Sequence, residues 1–150
     1  MNLTLVKGLQ SEIYVPITPP PVWAPVKKAL KDMTVGLATA AGVHRKDQER
    51  FNLAGDFTWR KIPDSTPTSE LMVSHGGYDN SDVNKDINCM FPIDRLHELV
   101  KAGFIKAAAP FHAGFMGGGG NQEKFKHETG PAIAKMFLEE GVDAVILTAG

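Results

Sequence analysis

The chain has 150 residues, a hydrophobic fraction of 43% and a formal net charge of −1 at pH 7. This length favours a single domain with a sizeable core. The balanced charge gives no electrostatic reason to expect nucleic acid or an acidic membrane surface as a partner. No stretch is apolar over the length of a membrane span or a signal peptide. The one cysteine, Cys89, allows no intrachain disulfide, so we expect a cytoplasmic protein in which Cys89 is a buried structural thiol.

A proline-rich segment precedes the rest of the chain. Residues 13–25 contain five prolines, which fix φ and remove backbone donors. We therefore predict an extended arm over residues 1–30 and an α/β domain over residues 31–150. The arm also carries Tyr14, Val22 and Trp23, and preformed extended segments lose little entropy on docking. The arm is therefore predicted to dock on a partner subunit.

The remaining sequence alternates patterns typical of strands and helices. Apolar or alternating segments predict strands at 34–39, 57–62, 71–73, 104–109 and 143–148. Helices are predicted from Pro92 to Gly103 and over 121–140, the second with a break or kink at Gly130-Pro131. Residues 74–91 are predicted to be irregular. The order indicates an α/β fold, a mainly parallel sheet flanked by helices and joined by right-handed crossovers.

The last predicted strand is read as buried and is followed by Ala149-Gly150. In open α/β sheets the chemistry lies just beyond the carboxyl ends of the strands. We therefore expect further polypeptide to follow Gly150 in the complete protein.

A run of glycines, Gly117, Gly118, Gly119 and Gly120, lies between a predicted strand and a predicted helix. Such a run can present backbone amides near a helix N-terminus and bind an anion. A phosphate is not supported because the lysine and hydroxyl of a P-loop are absent, but a carboxylate fits as well. A plain tight turn remains the alternative.

Histidines lie near the ends of predicted strands. His75 follows the 71–73 strand and has Asp79 close in sequence, which favours a proton-transfer or substrate-orienting pair. The alternative is a loop held by its own side-chain to backbone hydrogen bonds. His112 and His44 are also predicted at carboxyl ends of strands. No zinc spacing or complete calcium loop is present, so no metal site is expected.

Seven runs along the chain resemble one known family. They are TAAGVH (39–44), NLAGDF (52–57), LMVSHGGYD (71–79), DVNKDINCMFPIDR (82–95), GFMGGGG (114–120), ETGP (128–131) and GVDAVILTAG (141–150). They are similar to the selenoprotein subunits of the clostridial glycine, sarcosine, betaine and proline reductases. Within that family the Pro-rich arm resembles the D-proline reductases. The glycine, sarcosine and betaine members remain the alternative.

The resemblance implies an oxidoreductase that works as part of a cytoplasmic hetero-oligomer in amino-acid fermentation, the Stickland reaction. The reaction implied is reductive ring cleavage of D-proline to 5-aminovalerate. A partner subunit would carry a pyruvoyl group, and an electron-donor protein would supply reducing equivalents. The family places selenocysteine directly after the equivalent of Gly150, with a cysteine three positions later.

For this chain the resemblance implies a supporting role around that nucleophile. His75, Asp79 and His112 are expected to face it, and Gly117–Gly120 to bind the substrate carboxylate. The strand ends at His44, His75, His112 and Gly150 are predicted to converge on one pocket. The 150-residue chain alone is expected to be inactive. A non-catalytic assembly module and a small-anion-binding α/β domain remain alternative functions.

Overall fold

The computed structural model describes residues 24–117 and 122–149. The predicted arm lies largely outside these residues. Its described part, residues 24–29, is exposed and has no helix or strand. A 3₁₀ turn, Leu30–Asp32, then leads into the first strand. The proposed domain boundary at residue 30 stays a prediction.

The main sheet is built around a central parallel strand. Its strands are β1 (Thr34–Thr39), β3 (Trp59–Pro63), β5 (Ala107–Ala108), β6 (Phe111–Phe115) and β7 (Ala144–Thr148). β1 pairs in parallel with β7 on one side and with β5 and β6 on the other. β3 pairs antiparallel with β6. The predicted α/β class with a mainly parallel sheet is confirmed.

Shorter elements complete the described fold. A two-stranded antiparallel sheet joins β2 (Val43–Arg45) and β4 (Leu71–Val73). The α-helices are α1 (Ser81–Lys85), α2 (Ile93–Lys101), α3 (Gln122–Lys124) and α4 (Gly130–Glu139). There are also two 3₁₀ turns, Thr68–Glu70 just before β4 and Ile87–Cys89 between α1 and α2. A π-helical turn, Phe125–Thr129, joins α3 to α4.

The alternation of side chains along β1 divides the core between two faces of the sheet. Val35 and Leu37 pack with residues of α2 in one buried cluster. Ala38 packs with residues of α4 in the other. Gly36 lies on the α4 face, where an added Cβ would lie 2.5 Å from the Phe137 ring. Helices therefore cover both faces of the central strand, as a parallel sheet requires.

The strand predicted at 104–109 is shorter and is interrupted. Phe104 donates its N–H to Leu99 O, so the end of α2 occupies the first residues of that segment. Only Ala107–Ala108 forms β5, and β6 resumes after Pro110, which lacks a backbone donor. Residues 114 and 115 belong to β6, so the second strand extends beyond the predicted end at residue 109.

Two further predictions were wrong in detail. Residues 74–91 are not wholly irregular, because Ser81–Lys85 and Ile87–Cys89 are helical turns. Position 44 does not follow a strand but lies within β2, which is too short to produce a periodic pattern. The helical path continues through Gly130, which excludes a break there, whereas a kink stays a prediction. Gly130 N–H bonds to Phe125 O in a π-turn, and Pro131, which has no N–H, follows.

The last strand is not buried. Val145, Ile146 and Leu147 are 36%, 40% and 75% exposed. Their apolar character predicted a buried strand, but composition cannot distinguish a central strand from one at the margin of a sheet.

Candidate functional site

The carboxyl ends of three parallel strands meet at one edge of the main sheet. The residue after β1, Ala40, donates its N–H to Thr148 O in β7 at 2.9 Å. Its carbonyl accepts from the N–H of Gly117, just beyond β6, at 2.8 Å. These bonds hold the strand exits side by side. We call this region the carboxyl edge.

A glycine brings the loop after β4 onto the carboxyl edge. Ser74 donates its N–H to Gly42 O at 2.9 Å. Gly42 has φ +74°, and a Cβ there would lie 2.3 Å from Ser74 O. Glycine alone fits both the backbone conformation and this close approach. The contact places the next residue, His75, beside the ends of β1 and β6.

His75 has a defined tautomer at this edge. Its Nδ1 accepts the Gly77 N–H at 2.9 Å, so the proton lies on Nε2, which donates to Gly117 O at 3.0 Å. Asn80 Nδ2 donates to His75 O at 2.9 Å. The imidazole is therefore fixed by neighbouring backbone groups, as a group that orients a ligand requires.

Asp79 forms a hydrogen bond within its own loop. Its Oδ1 accepts from the N–H of Ser81, two residues further on, at 2.9 Å. Each residue of the predicted pair is thus hydrogen-bonded to a different neighbour. The local bonding matches the alternative of a loop held by its own hydrogen bonds. A catalytic role for either residue stays a prediction.

Tyr78 also belongs to the carboxyl edge. Its hydroxyl donates to Ala41 O at 2.9 Å, and its ring centroid lies 4.8 Å from that of His75. Burial, together with the nearby Cys89, raises the pKa of Tyr78 above its ordinary value. The phenol therefore stays protonated across the neutral pH range and keeps its bond to Ala41 O.

Cys89 is exposed, so the prediction of a buried structural thiol was wrong. Its Sγ donates to Asp86 O at 2.9 Å within a 3₁₀ turn. The adjacent carbonyl, Met90 O, accepts from Thr148 Oγ1 at 2.5 Å. Cys89 therefore belongs to an exposed turn and not to the core. The carbonyl that follows this turn bonds to the end of β7.

His112 lies inside β6, not at a strand end, and it is fully buried. Val35 pairs with Ala108 but Ala38 pairs with Ala113, so the neighbouring chain contains two extra residues at the interruption around Pro110. The imidazole fills the resulting gap in the ladder, because Nδ1 accepts the N–H of Leu37 at 3.1 Å. His112 thus replaces a missing backbone acceptor.

The other nitrogen of His112 points to Asp64, which follows β3. Nε2 donates to Asp64 Oδ1 at 2.9 Å, and His97 Nε2 shares the same oxygen at 2.8 Å. Burial opposes ionisation of this carboxyl, but the hydrogen bonds from the two histidines outweigh it and lower the pKa of Asp64. Asp64 is bonded to Pro110 at the start of β6. His112 therefore does not join His75 at the carboxyl edge, and that part of the predicted convergence was wrong.

His44 is buried in β2 and is also neutral. Its Nδ1 donates to Arg45 O at 2.7 Å, and its Nε2 accepts from the Ser74 hydroxyl at 2.8 Å. Burial lowers the pKa of His44, and the charges of Arg60 and Arg50 lower it further. Through Ser74 it supports the loop that carries His75.

Only the first residue of the predicted anion cradle is described. The N–H of Gly117 is already donated to Ala40 O, so it is not directed at a ligand. Gly118, Gly119 and Gly120 lie outside the described residues, as does Gly150. Any cradle at this position depends on the amides of those three glycines.

Two kinds of feature are absent from residues 24–117 and 122–149. No group of three or more histidine, cysteine, aspartate or glutamate side chains there could hold a metal ion. Within the same ranges no helix has the length and apolar character needed to cross a membrane.

The sequence patterns did not predict a role for three residues that bond to these sites, Asp64, Thr148 and Tyr78. Asp64 and Thr148 carried no motif, and their roles arise from partners 48 and 58 residues away. Tyr78 could have been predicted from the sequence. It has an aromatic hydroxyl, and it lies three residues after His75 in a glycine-rich loop.

Over residues 6–150 the chain matches the family described as glycine/sarcosine/betaine reductase selenoprotein B, and it belongs to that family. It is 71% identical over 149 residues to the D-proline reductase subunit gamma of Acetoanaerobium sticklandii. It is also 32% identical over 158 residues to the sarcosine reductase complex component B subunit beta of Peptoclostridium acidaminophilum. The glycine reductase complex component B subunit gamma of Carboxydothermus hydrogenoformans is 29% identical over 159 residues.

These relatives are longer than the present chain. The alignments cover 99%, 97% and 97% of this chain but 62%, 35% and 35% of the three relatives. The chain thus spans about a third to three fifths of the curated relatives it matches. No solved structure matches it.

Proposed function

We propose that this chain forms part of the selenoprotein subunit of a D-proline reductase complex. The complex would cleave the ring of D-proline with two electrons and two protons, giving 5-aminovalerate. The observation that carries this proposal is the 71% identity with a D-proline reductase subunit, against 32% and 29% for sarcosine and glycine reductase relatives. Identity at that level over 149 residues favours D-proline over the other family substrates.

The proposed partners are a pyruvoyl-bearing subunit and an electron-donor protein in a cytoplasmic hetero-oligomer. The names of the relatives, which are subunits or components of complexes, support an assembly of this kind. The pyruvoyl group would supply a carbonyl that condenses with the substrate amine. The selenol of the complete family subunit would supply an ionised nucleophile at neutral pH.

The residues of this chain would build the wall around that chemistry. The bonds of Thr148 to Ala40 and Met90 hold the exit of β7 rigidly, as a strand that positions a reactive group must be held. His75 and Tyr78 would line the same edge with rings that their bonds to Gly117 O and Ala41 O hold in place. Asp79, on the same loop, would contribute a negative charge toward the substrate amine.

The glycine run and His112 would have two different roles, substrate binding and positioning. Gly118–Gly120 would bind the substrate carboxylate through their amides. His112 would act as a positioning residue, because its bonds to Leu37 and Asp64 hold β6 against β1 and so fix Gly117 beside His75. This role replaces direct contact with the substrate.

A chimeric subunit tests the proposal. The 149 aligned residues of the A. sticklandii subunit gamma are replaced by the present chain, and the complex is reconstituted with its other subunits and a dithiol. We expect 5-aminovalerate from D-proline and no comparable turnover of sarcosine or glycine. Turnover of sarcosine or glycine instead would overturn the substrate assignment. An assembled complex without any turnover would favour the non-catalytic assembly module.

A further inference from the structure

The exposed face of β7 is the most unusual surface of the described chain. The strand reads Ala-Val-Ile-Leu-Thr and contains neither charge nor proline. Val145, Ile146 and Leu147 are all at least one-third exposed, and within the described residues β7 pairs with β1 alone. Natural sheets normally protect such an edge with charges, proline, a bulge or a covering element. None of these devices is found along Ala144–Thr148.

The main chain of β7 also has a free side. The carbonyl of Thr148 accepts from Ala40 in β1, so this residue and, by alternation, Ile146 direct their backbone groups to β1. Val145 and Leu147 direct theirs outward. Two N–H and two C=O groups are therefore placed to form hydrogen bonds with another strand.

Apolar side chains of β7 are partly exposed on both faces of the sheet. Ile146 pairs with Leu37 and so lies on the α2 face, whereas Val145 and Leu147 pair with Gly36 and Ala38 on the α4 face. An occupant that supplied only a strand would leave Leu147, which is 75% exposed, open on one face. The occupant must therefore bring a strand and packing elements for both faces.

We propose that the free side of β7 accepts the next strand of the sheet from the polypeptide that the family subunit has beyond the part spanned here. The 149 aligned residues make up 62% of the A. sticklandii protein, which puts its length at about 240 residues. About 90 residues then lie outside the shared part, and a strand with a crossover helix takes about 30 or more. The extra polypeptide is thus long enough to extend the sheet and to cover Ile146 and Leu147. This inference rests on family membership and not on the proposed substrate.

Hydrogen exchange measured by mass spectrometry tests the inference on the residues of this chain. The 150-residue chain is compared with the chimera in which it replaces the aligned part of the A. sticklandii subunit. We expect peptides covering 144–148 to exchange at least tenfold more slowly in the chimera, while peptides covering β1 exchange at equal rates. Equal exchange of 144–148 in both proteins would overturn the proposal. Protection that rises with concentration in the 150-residue chain would assign the edge to a second copy, and protection lost on deleting residues 1–23 would assign it to the arm.

A pair of lysine variants gives an independent measurement. Leu147→Lys places a charge on the free face, and Leu53→Lys, at a loop leucine that is 59% exposed, is its control. We expect Leu147→Lys to leave the urea midpoint of the 150-residue chain unchanged and to lower that of the chimera clearly. Leu53→Lys should affect neither protein. An unchanged chimera midpoint with Leu147→Lys would contradict a covered β7, whatever the activity of the chimera.

Discussion

At the scale of single residues, His44 shows how burial converts a titratable group into a structural one. Its ring is fully buried, donates to one backbone carbonyl and accepts from the Ser74 hydroxyl. Protonation would remove the acceptor that Ser74 uses and would place a charge beside Arg60 and Arg50. The folded state therefore prefers the neutral ring, and the pKa of His44 lies below that in the unfolded chain.

This shift predicts loss of stability in mild acid. Because the folded-state pKa is lowered, the unfolded chain binds more protons once the pH falls below about 6.5, the ordinary histidine value. The stabilisation is present above that pH and is lost as the pH falls toward the folded-state pKa, by at most about 1.4 kcal/mol per pH unit. Urea unfolding at pH 7.5 and 5.5 measures it. His44→Asn should flatten the difference, whereas His127→Gln, at an exposed helix position, should not.

His75 is the residue whose substitution should separate catalysis from folding. Its side chain is half-buried and bonds only to neighbouring loop backbone. In the reconstituted chimera we expect His75→Ala to lower kcat by about 10²-fold, the lower range for loss of a positioned proton donor. Complex yield should stay unchanged. If kcat is retained and only the melting temperature falls, His75 is a structural residue.

At the scale of elements, the carboxylate of Asp64 joins parts that are distant in sequence. The side chain accepts from His97 on α2 and from His112 in β6, and the backbone N–H of Asp64, just after β3, donates to Pro110 O. It therefore fixes the helix to the sheet at the point where β5 and β6 are interrupted. A buried imidazole N–H that loses its charged acceptor costs free energy, so this contact is expected to matter for stability.

Asp64→Asn should lower the free energy of unfolding by about 1–3 kcal/mol at pH 7, the cost of weakening a buried charge-assisted bond. The depressed pKa of Asp64 adds a pH dependence. Its stabilisation is present above the unfolded aspartate pKa of about 3.9 and is lost as the pH falls through the folded-state value. Asp82→Asn is the control, because its ion pair with Lys85 is exposed. Equal unfolding midpoints for the two variants would contradict a structural role for Asp64.

At the scale of the whole molecule, the proline-rich arm is predicted to be an assembly device. Its described part, residues 24–29, is exposed, and Lys28 contacts Asp143 at 2.6 Å near the start of β7. Deleting residues 1–25 should leave the far-ultraviolet spectrum of the remaining domain similar and weaken assembly with the other subunits. Co-purification of the deleted form with the partner at unchanged yield would show that the arm is not the docking segment.

Several features followed from local pattern alone. The apolar segment at 34–39 and the proline and glycine that bound α2 predicted both elements to within about two residues. The order of strands and helices predicted the α/β class. The long runs quoted above indicated the reductase family. The glycine-rich loop containing His75 was also correctly associated with a strand end. Each of these properties depends on residues close together in the chain.

The tertiary structure decided which groups meet. His112 matched the pattern of a strand-end histidine, yet its partners are Leu37, 75 residues away, and Asp64, 48 residues away. The position of β7 at the margin of the sheet, and hence its exposed leucine and isoleucine, also depended on strand order. An apolar segment indicates that its side chains will be buried, but it does not identify the element that buries them. Strand register and neighbours are set by contacts between distant parts of the chain. Sequence alone therefore determined the class and the family, and packing determined which histidine remains at the carboxyl edge.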